Sequence, residues 1–426
     1  MEGTSAYAAL NAGNPNGTDM PLMEGLFANA APYVGYVYPN ETIIPWTVLI
    51  VIYPYLTGLV AGAFTVSSLY HVFGMQRFKP AAGLALLTAL CFLIFVPLAL
   101  LLHLGHPERS FNTMITPHWT SAFVMFGYLA GFYVILLMLE CWFVFRPHIV
   151  QQAQQRDGPL GLFYRVLSLG SYDLSPKAMH YDEKWIFALA VIGIPGAHGL
   201  HGYVGFVFGS LKSREWWSSD LMPPIFLFSA IISGTALLIV LYALSCKLRR
   251  VPIDLACLKG LGYTLWGFMM FTLVLEGVEF GALVYRGREG IEVIMEFVTG
   301  RLVIPLFVLQ FGLGSVLPIC LLTYMFWRGT TGKALIAGVT TSAVLVLLAV
   351  LMMRWNVVIG GQEIAKTGKG LLTYVPTLYG REGLIVAGSL VLVPLVLLLV
   401  VTRLFPPWNL NGAPAPAPHA GMRRFG

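Results

Sequence analysis

The sequence predicts an all-α integral membrane protein with about nine transmembrane helices, in a range of eight to ten. Of its 426 residues, 57% are hydrophobic and only 11% are charged, and the mean hydropathy is +0.75. Soluble domains carry about 25% charged residues. Apolar runs of about 20 residues are long enough to cross a bilayer as helices. A soluble enzyme is therefore excluded, and so is an outer-membrane barrel, whose strands are shorter and alternate in polarity.

The apolar runs divide the chain into three parts. We expect residues 1–42, which are polar and rich in Gly, Pro and Asn, to form a periplasmic segment, and residues 405–426 to form a Pro/Ala-rich cytoplasmic tail. The transmembrane domain between them contains the predicted spans 43–73, 81–104, 119–145, 184–209, 220–245, 258–284, 303–327, 334–355 and 384–404.

The distribution of positive charge predicts the orientation. With the N-terminus outside, most of the 26 lysines and arginines fall on the inner side, and residues 1–42 contain none. Cytoplasmic loops of membrane proteins carry this excess. We therefore expect a bacterial inner-membrane protein with a periplasmic N-terminus and a cytoplasmic C-terminus. The start of the chain has no basic segment followed by a short apolar one, so we expect no cleaved signal peptide.

Composition also argues against several cofactors. The five cysteines are scattered, without metal-ligand spacing, a C-x-x-C-H motif or a ferredoxin-like run. We therefore expect no metal site, iron–sulphur cluster or haem within this chain. The formal charge of +6 reflects topology, so no nucleic-acid partner is expected.

Ionisable side chains at membrane depth are costly and are functional candidates by default. Four different spans place such residues toward the outer side: His103, His106, His198, His201, Glu276, Glu279 and Arg354. The two histidines of the fourth span are three residues apart, as are the two glutamates of the sixth, so each pair shares a helix face. Glu140 lies alone, toward the inner end of the third span.

A cluster of this kind suits a polar head group whose tail lies in lipid, and a quinone fits that description. Histidine can donate both hydrogen bonds and protons near neutral pH. We expect catalytic roles for His103, His201 and Glu276. The expected quinone-binding residues are Tyr53, Tyr55, His103, His106, His201 and Arg354, and the expected proton pathway comprises Glu140, Glu276 and Glu279.

Other interpretations of these residues remain open. The histidines could cap helix ends or pack, Glu276 could pair with Arg354, and Glu140 could reach the inner interface. His103 and His201 could ligate one b-type haem. A secondary transporter would show broken helices in two matching halves. A membrane anchor without a quinone site would use the outer polar residues only for contacts with its partners.

Several segments resemble the NrfD/PsrC family, the polysulphide-reductase-type membrane subunits. HLGHPERSFNTMITPHWTSAF is similar to the loop after the family's second core helix, with His103 where Asp is usual. IPWTVLIVIYPYLTGLVAGAF, IPGAHGLHGYVGFVFG and LVLEGVEF resemble the opening helix, a histidine-bearing helix and a segment with a buried glutamate. MMRWNVVIGGQ resembles the signature of the long subgroup, and within it the chain is most similar to membrane subunits of menaquinone reductase complexes.

The resemblance implies two four-helix bundles plus a peripheral helix, although long members often have ten helices. It also implies a subunit without its own redox cofactor that exchanges electrons between menaquinone and a periplasmic iron–sulphur subunit and can couple this exchange to proton uptake. The implied further partners are a molybdopterin-oxidoreductase-like subunit, a multihaem cytochrome c and membrane lipid.

Overall fold

The computed structural model describes residues 43–287, 291–368 and 370–408. Within them, nine helices are long and apolar enough to cross a membrane, which confirms the predicted all-α membrane fold. They are α1 Val48–His71, α2 Gln76–His103, α3 Ala122–Gln155, α4 Pro176–Gly209, α5 Met222–Arg249, α6 Leu255–Arg286, α7 Val303–Trp327, α8 Gly332–Glu363 and α9 Leu384–Leu404.

Shorter elements lie between the spanning helices: Pro107–Arg109, Asn112–Ile115, Gly158–Leu167 and Ile291–Thr299. The described residues contain no β-strand, only one isolated antiparallel bridge between Ile364 and Leu371. The predicted N-terminal segment and residues 409–426 of the predicted tail lie outside the described residues.

The helices form the two bundles expected from the resemblance. In the first bundle, α1 packs against α2 and α4, and α3 packs against α2 and α4. In the second bundle, α5 packs against α6 and α8, and α7 packs against α6 and α8. Helix α5 also contacts α1 and α4, so it joins the two bundles, and α9 lies at the periphery against α1 and α2.

The bundles meet where two glycines allow α1 and α5 to touch. A Cβ atom added to Gly234 would lie 2.4 Å from Cα of Gly62, and one added to Gly62 would lie 2.2 Å from the carbonyl oxygen of Ala230. Small residues let membrane helices approach this closely. Helix α1 is consequently the most enclosed span, with 94% of its apolar window buried. Most side chains of α1 are therefore enclosed by other helices and do not face lipid.

Three spans depart from regular α-helix. Helix α2 consists of a 3₁₀ turn, Gln76–Phe78, and two α-helical pieces, Lys79–Leu93 and Val96–His103, each with proline near its start. Helix α7 begins as a π-helix over Val303–Val316, and α8 contains a π-helical segment over Asn356–Gly360. π-Helical turns are rare and frequently accompany functional sites. The apolar pattern of the sequence did not predict them.

At the predicted inner side, α3 and α4 run well beyond their predicted spans and meet in an ion pair. Arg146 Nε lies 2.9 Å from Asp182 Oδ2, and both side chains are buried. The guanidinium also donates to the carbonyl oxygen of Asp173 at 2.9 and 3.0 Å. In the sequence, Arg146 was only one of the positive charges counted on the inner side. In the structure, it links α3 to α4 through its ion pair with Asp182.

Candidate functional site

A buried arginine occupies the junction of the two bundles. Arg354, on α8, has an exposed fraction of 0%. Its Nη2 lies 3.0 Å from Nε2 of His201 on α4 and also donates to the hydroxyl of Ser229 on α5. The guanidinium carbon sits 3.9 Å from the centre of the Phe226 ring, a cation–π arrangement. Among the described residues, no carboxylate comes within ion-pair distance of this guanidinium.

The hydrogen bonds around His201 determine which of its ring nitrogens carries the proton. A guanidinium can only donate, so Nε2 of His201 accepts from Arg354 and the imidazole is neutral, with its proton on Nδ1. Nδ1 lies 3.1 Å from the hydroxyl oxygen of Thr57 and therefore donates to it. The Thr57 hydroxyl donates in turn to the carbonyl oxygens of Tyr53 and Pro54, at 3.2 and 3.1 Å. Both ring nitrogens of His201 are thus engaged, with none free for a haem iron.

A second series of hydrogen-bonded polar side chains, after the one formed by Arg354, His201 and Thr57, lies within the second bundle. It includes one residue from each π-helical segment. Asn356 Nδ2 donates to Gln310 Oε1 at 2.9 Å, and Gln310 Nε2 donates to Glu276 Oε2 at 3.4 Å. Asn356 also donates to the carbonyl oxygen of Pro305 at 3.3 Å. Glu276 and Ser229, which accepts from Arg354, line the same cavity. The two chains are therefore neighbours, but Glu276 and Arg354 do not pair directly.

A small cavity of about 20 Å³ lies beside Glu276. Its polar lining consists of Ser229, Thr272, Glu276, Gln310 and Ser315. The rest of its lining is apolar or glycine and includes residues of α5, α6, α7 and α8. The space is much too small for a quinone ring, and it adjoins the Arg354 network through Ser229.

The other predicted residues of the outer side lie apart from these chains. Glu279 accepts from the Ser219 hydroxyl at 2.5 Å. Nδ1 of His103 lies 3.4 Å from Glu382, in the segment before α9. His106 is on the surface, with a side chain 66% exposed, where it contacts Glu108. Neither His103 nor His106 forms a hydrogen bond with the buried network of the described residues.

Residues 38–365 match the family described as Polysulphide reductase, NrfD. The chain belongs to the NrfD family. A selenate reductase subunit of Mesobacillus selenatarsenatis is 32% identical over 400 residues, which cover 88% of this chain and 90% of that protein. These matches confirm the family resemblance. They do not test the narrower likeness to menaquinone reductase subunits, which stays a prediction.

Two further relatives match over about half of their length. A putative dimethyl sulfoxide reductase membrane subunit of Halobacterium salinarum is 27% identical over 234 residues, covering 55% of this chain and 51% of that protein. The Hdr-like menaquinol oxidoreductase integral membrane subunit of Archaeoglobus fulgidus is 24% identical over 241 residues, covering 56% and 52%. The names of all three relatives describe subunits of oxidoreductases.

The remaining predicted residues of this NrfD-family chain have separate environments. The Tyr55 hydroxyl donates to the carbonyl oxygen of Leu347 at 3.3 Å and so ties α1 to α8. Tyr53 is buried and packs edge-on against Phe126 of α3, with ring centres 5.5 Å apart. Glu140 has an exposed fraction of 0%, and neither carboxyl oxygen has a hydrogen-bond partner among the described residues. Glu140 is thus a buried acid, not a residue reaching the interface.

The NrfD-family chain also uses polar residues that the sequence reasoning passed over. They are Thr57, Ser229, Gln310 and Asn356, all buried and all in one of the two polar chains. Gln310 could have been found, because an amide within an otherwise apolar span needs a partner. The two hydroxyl residues gave no such signal, since Ser and Thr satisfy themselves on their own helix. No three His, Cys, Asp or Glu side chains cluster as a metal site would require among the described residues.

Proposed function

We propose that this chain is the integral membrane subunit of a respiratory oxidoreductase complex and exchanges electrons with menaquinone. Its membership of the NrfD family supports the proposal, as do relatives named as subunits of selenate, dimethyl sulfoxide and menaquinol oxidoreductases. Electrons would pass between the quinone and an iron–sulphur subunit docked on the periplasmic face. A molybdopterin-oxidoreductase-like subunit and a multihaem cytochrome c would complete the route outside the membrane.

The observation that carries the proposal is the contact between Arg354 and His201 at the junction of the bundles. The two residues are 0% and 1% exposed, and the guanidinium has no ion-pair partner among the described residues. A buried charge without a partner costs several kcal/mol, so a purely structural role explains it poorly. A fixed positive charge stabilises the negative charge that develops on a quinone as it accepts electrons.

The hydrogen-bond directions support a different role for each member of the network. Arg354 supplies charge, and His201 transmits its hydrogen bond toward Thr57. A quinone carbonyl that accepts from the proton-bearing Nδ1 of His201 shares this N–H with the Thr57 hydroxyl, which keeps the imidazole oriented. His201 then acts as a hydrogen-bond donor to the quinone, and its neutral form is kept by Arg354.

Full reduction of a quinone consumes two electrons and two protons. The electrons come from the iron–sulphur partner, and we propose Glu276, Glu279 and Glu140 as proton-handling groups. Glu140 lies in the half of α3 toward the predicted inner side, buried and without a hydrogen-bond partner among the described residues. Proton uptake from that side would make the reaction electrogenic, at about 2.3 kcal/mol per charge for each 100 mV.

The test compares two histidines of the same helix in the complex purified through this chain. His201→Ala removes the imidazole between Arg354 and Thr57. His180→Ala is the matched control, because His180 lies on α4 with a side chain 63% exposed and its Nδ1 is 3.7 Å from Glu183 Oε2. Reduction of a soluble menaquinone analogue should fall at least about tenfold for His201→Ala, as expected for a group that assists proton transfer. The control variant should keep wild-type turnover.

Assembly is measured beside turnover, by the partner proteins that co-purify. An assembled His201→Ala complex with normal, inhibitor-sensitive turnover would remove this residue from the quinone site. A wild-type complex that holds its redox partners but neither binds nor turns over quinone would show that the chain serves as an anchor.

A further inference from the structure

The cavity beside Glu276 has an unusual lining for a space between membrane helices. Three residues with hydroxyl groups line it, and each hydroxyl donates its proton to a carbonyl oxygen of its own helix. Ser229 donates to Phe226 at 2.8 Å, Thr272 to Phe268 at 2.9 Å and Ser315 to Gln310 at 3.1 Å. Each hydroxyl oxygen can therefore still accept a hydrogen bond, although that of Ser229 already accepts one from Arg354 and has a single lone pair left.

Glu276 adds a further acceptor to this lining. Its Oε2 receives the long bond of 3.4 Å from Gln310, whereas Oε1 has no hydrogen-bond partner among the described residues. Gln310 supplies an amide N–H that can donate. A ligand of this cavity must therefore donate at least two hydrogen bonds and accept one.

Size and charge narrow the choice of ligand. A cavity needs about 10–15 Å³ of space open to the centre of a water molecule to hold one water, and a buried water typically makes about three hydrogen bonds. The volume here is about 20 Å³. A metal cation also suits oxygen acceptors, but the nearby guanidinium of Arg354 repels it, and this charge is linked to the cavity through Ser229. Genuinely dry cavities are lined by apolar groups, unlike this one.

We propose that this cavity binds one ordered water, which donates to Glu276 and Ser229 and accepts from Gln310. The water connects the glutamate of the second bundle to the Ser229–Arg354–His201 network between the bundles. Glu276 then exchanges its proton with this water, so the surrounding side chains do not isolate its carboxyl from proton exchange. This role for Glu276 rests on the proposed function, whereas the water site itself does not.

The direct test is a cryo-electron microscopy map of the wild-type complex in lipid nanodiscs at a resolution that shows ordered waters. We expect a density peak within hydrogen-bond distance of both the Glu276 carboxyl and the Ser229 hydroxyl. An unoccupied cavity in a map that shows waters of similar burial elsewhere would overturn the proposal. So would a density whose occupancy depends on the Na⁺ or K⁺ concentration.

A spectroscopic test uses Val346→Ile, which adds a methylene group to a residue that lines the cavity and is 1% exposed. The control is Val344→Ile on the same helix, where the side chain is 42% exposed and lines no part of the cavity. The infrared band of the Glu276 carboxyl is assigned by its loss in Glu276→Gln. Val346→Ile should shift this band, since the carboxyl loses its bonded water, and Val344→Ile should leave it in place.

An unshifted band in a folded Val346→Ile complex would contradict the water bridge. Neither measurement depends on quinone turnover. A complex that shows the water but reduces no quinone would refute the proposed function alone, and a quinone-active complex without the water would refute this inference alone.

Discussion

The hydroxyl of Thr57 offers the sharpest test of the buried network, because it accepts the hydrogen bond of Nδ1 of His201. Thr57→Val keeps the shape of the side chain and removes the oxygen. The two residues are 2% and 1% exposed, so water cannot readily replace the lost acceptor. A buried N–H left without a partner costs about 1–3 kcal/mol.

The imidazole can relieve this cost only by turning, which moves Nε2 away from Arg354. The 3.0 Å contact between His201 and Arg354 is then lost or weakened. If the penalty falls on the reacting geometry, about 1–3 kcal/mol corresponds to a decrease in quinone turnover of about 5- to 150-fold. Thr57→Ser restores an oxygen at the same place and should recover most of the activity.

Thr65→Val is a matched control on the same pair of helices. The Thr65 hydroxyl lies 3.2 Å from Nε2 of His198, whose Nδ1 is 2.8 Å from the carbonyl oxygen of Ile194. The two threonine variants therefore each remove one hydroxyl–histidine contact between α1 and α4, but only Thr57 is linked to Arg354. Turnover per assembled complex should fall for Thr57→Val and not for Thr65→Val. Equal effects of the two substitutions would refute the reasoning.

Three further substitutions test the rest of the structure. Glu140→Gln should leave the complex folded, since the buried carboxyl has no hydrogen-bond partner among the described residues, but should abolish any proton uptake from the inner side, measured with a pH indicator in proteoliposomes; unchanged uptake would exclude Glu140 from the pathway. Asp182→Asn breaks the buried pair with Arg146 and should cost about 3–5 kcal/mol; the expected result is a lower thermal midpoint with normal turnover of the surviving complex, and an unchanged midpoint would contradict it. Gly234→Ala should prevent assembly, because its new methyl group meets backbone atoms of α1, whereas Gly388→Ala on α9 meets nothing within 4 Å and should assemble normally.

The proposed mechanism requires residues from both bundles. The first bundle contributes Thr57 and His201, and the second contributes Ser229, Glu276 and Arg354. Neither bundle contains the complete network. The site therefore forms only when the two bundles are in close contact, at the glycines of α1 and α5. A shift of this interface would separate His201 from Arg354 before it disturbed either bundle.

The nine spans and the identity of the costly residues were accessible from the sequence because both signals are local. A run of about 20 apolar residues specifies a membrane helix wherever it occurs. An ionisable residue within such a run is conspicuous without knowledge of its neighbours. His201, Glu276 and Arg354 were all found in this way, and all three belong to the buried network or adjoin it.

The tertiary structure alone decided which of these residues meet. Arg354 and His201 are 153 positions apart, and no local pattern encodes their contact. The same local reasoning also selected His103 and His106, yet their helix end lies with Glu382 and Glu108. The π-helical turns of α7 and α8 could not be predicted for a related reason. They contain Gln310 and Asn356, which are hydrogen-bonded to each other, but they leave the apolar composition of either span unchanged. Hydropathy measures transfer of one segment into lipid, whereas the site depends on how segments pack against one another.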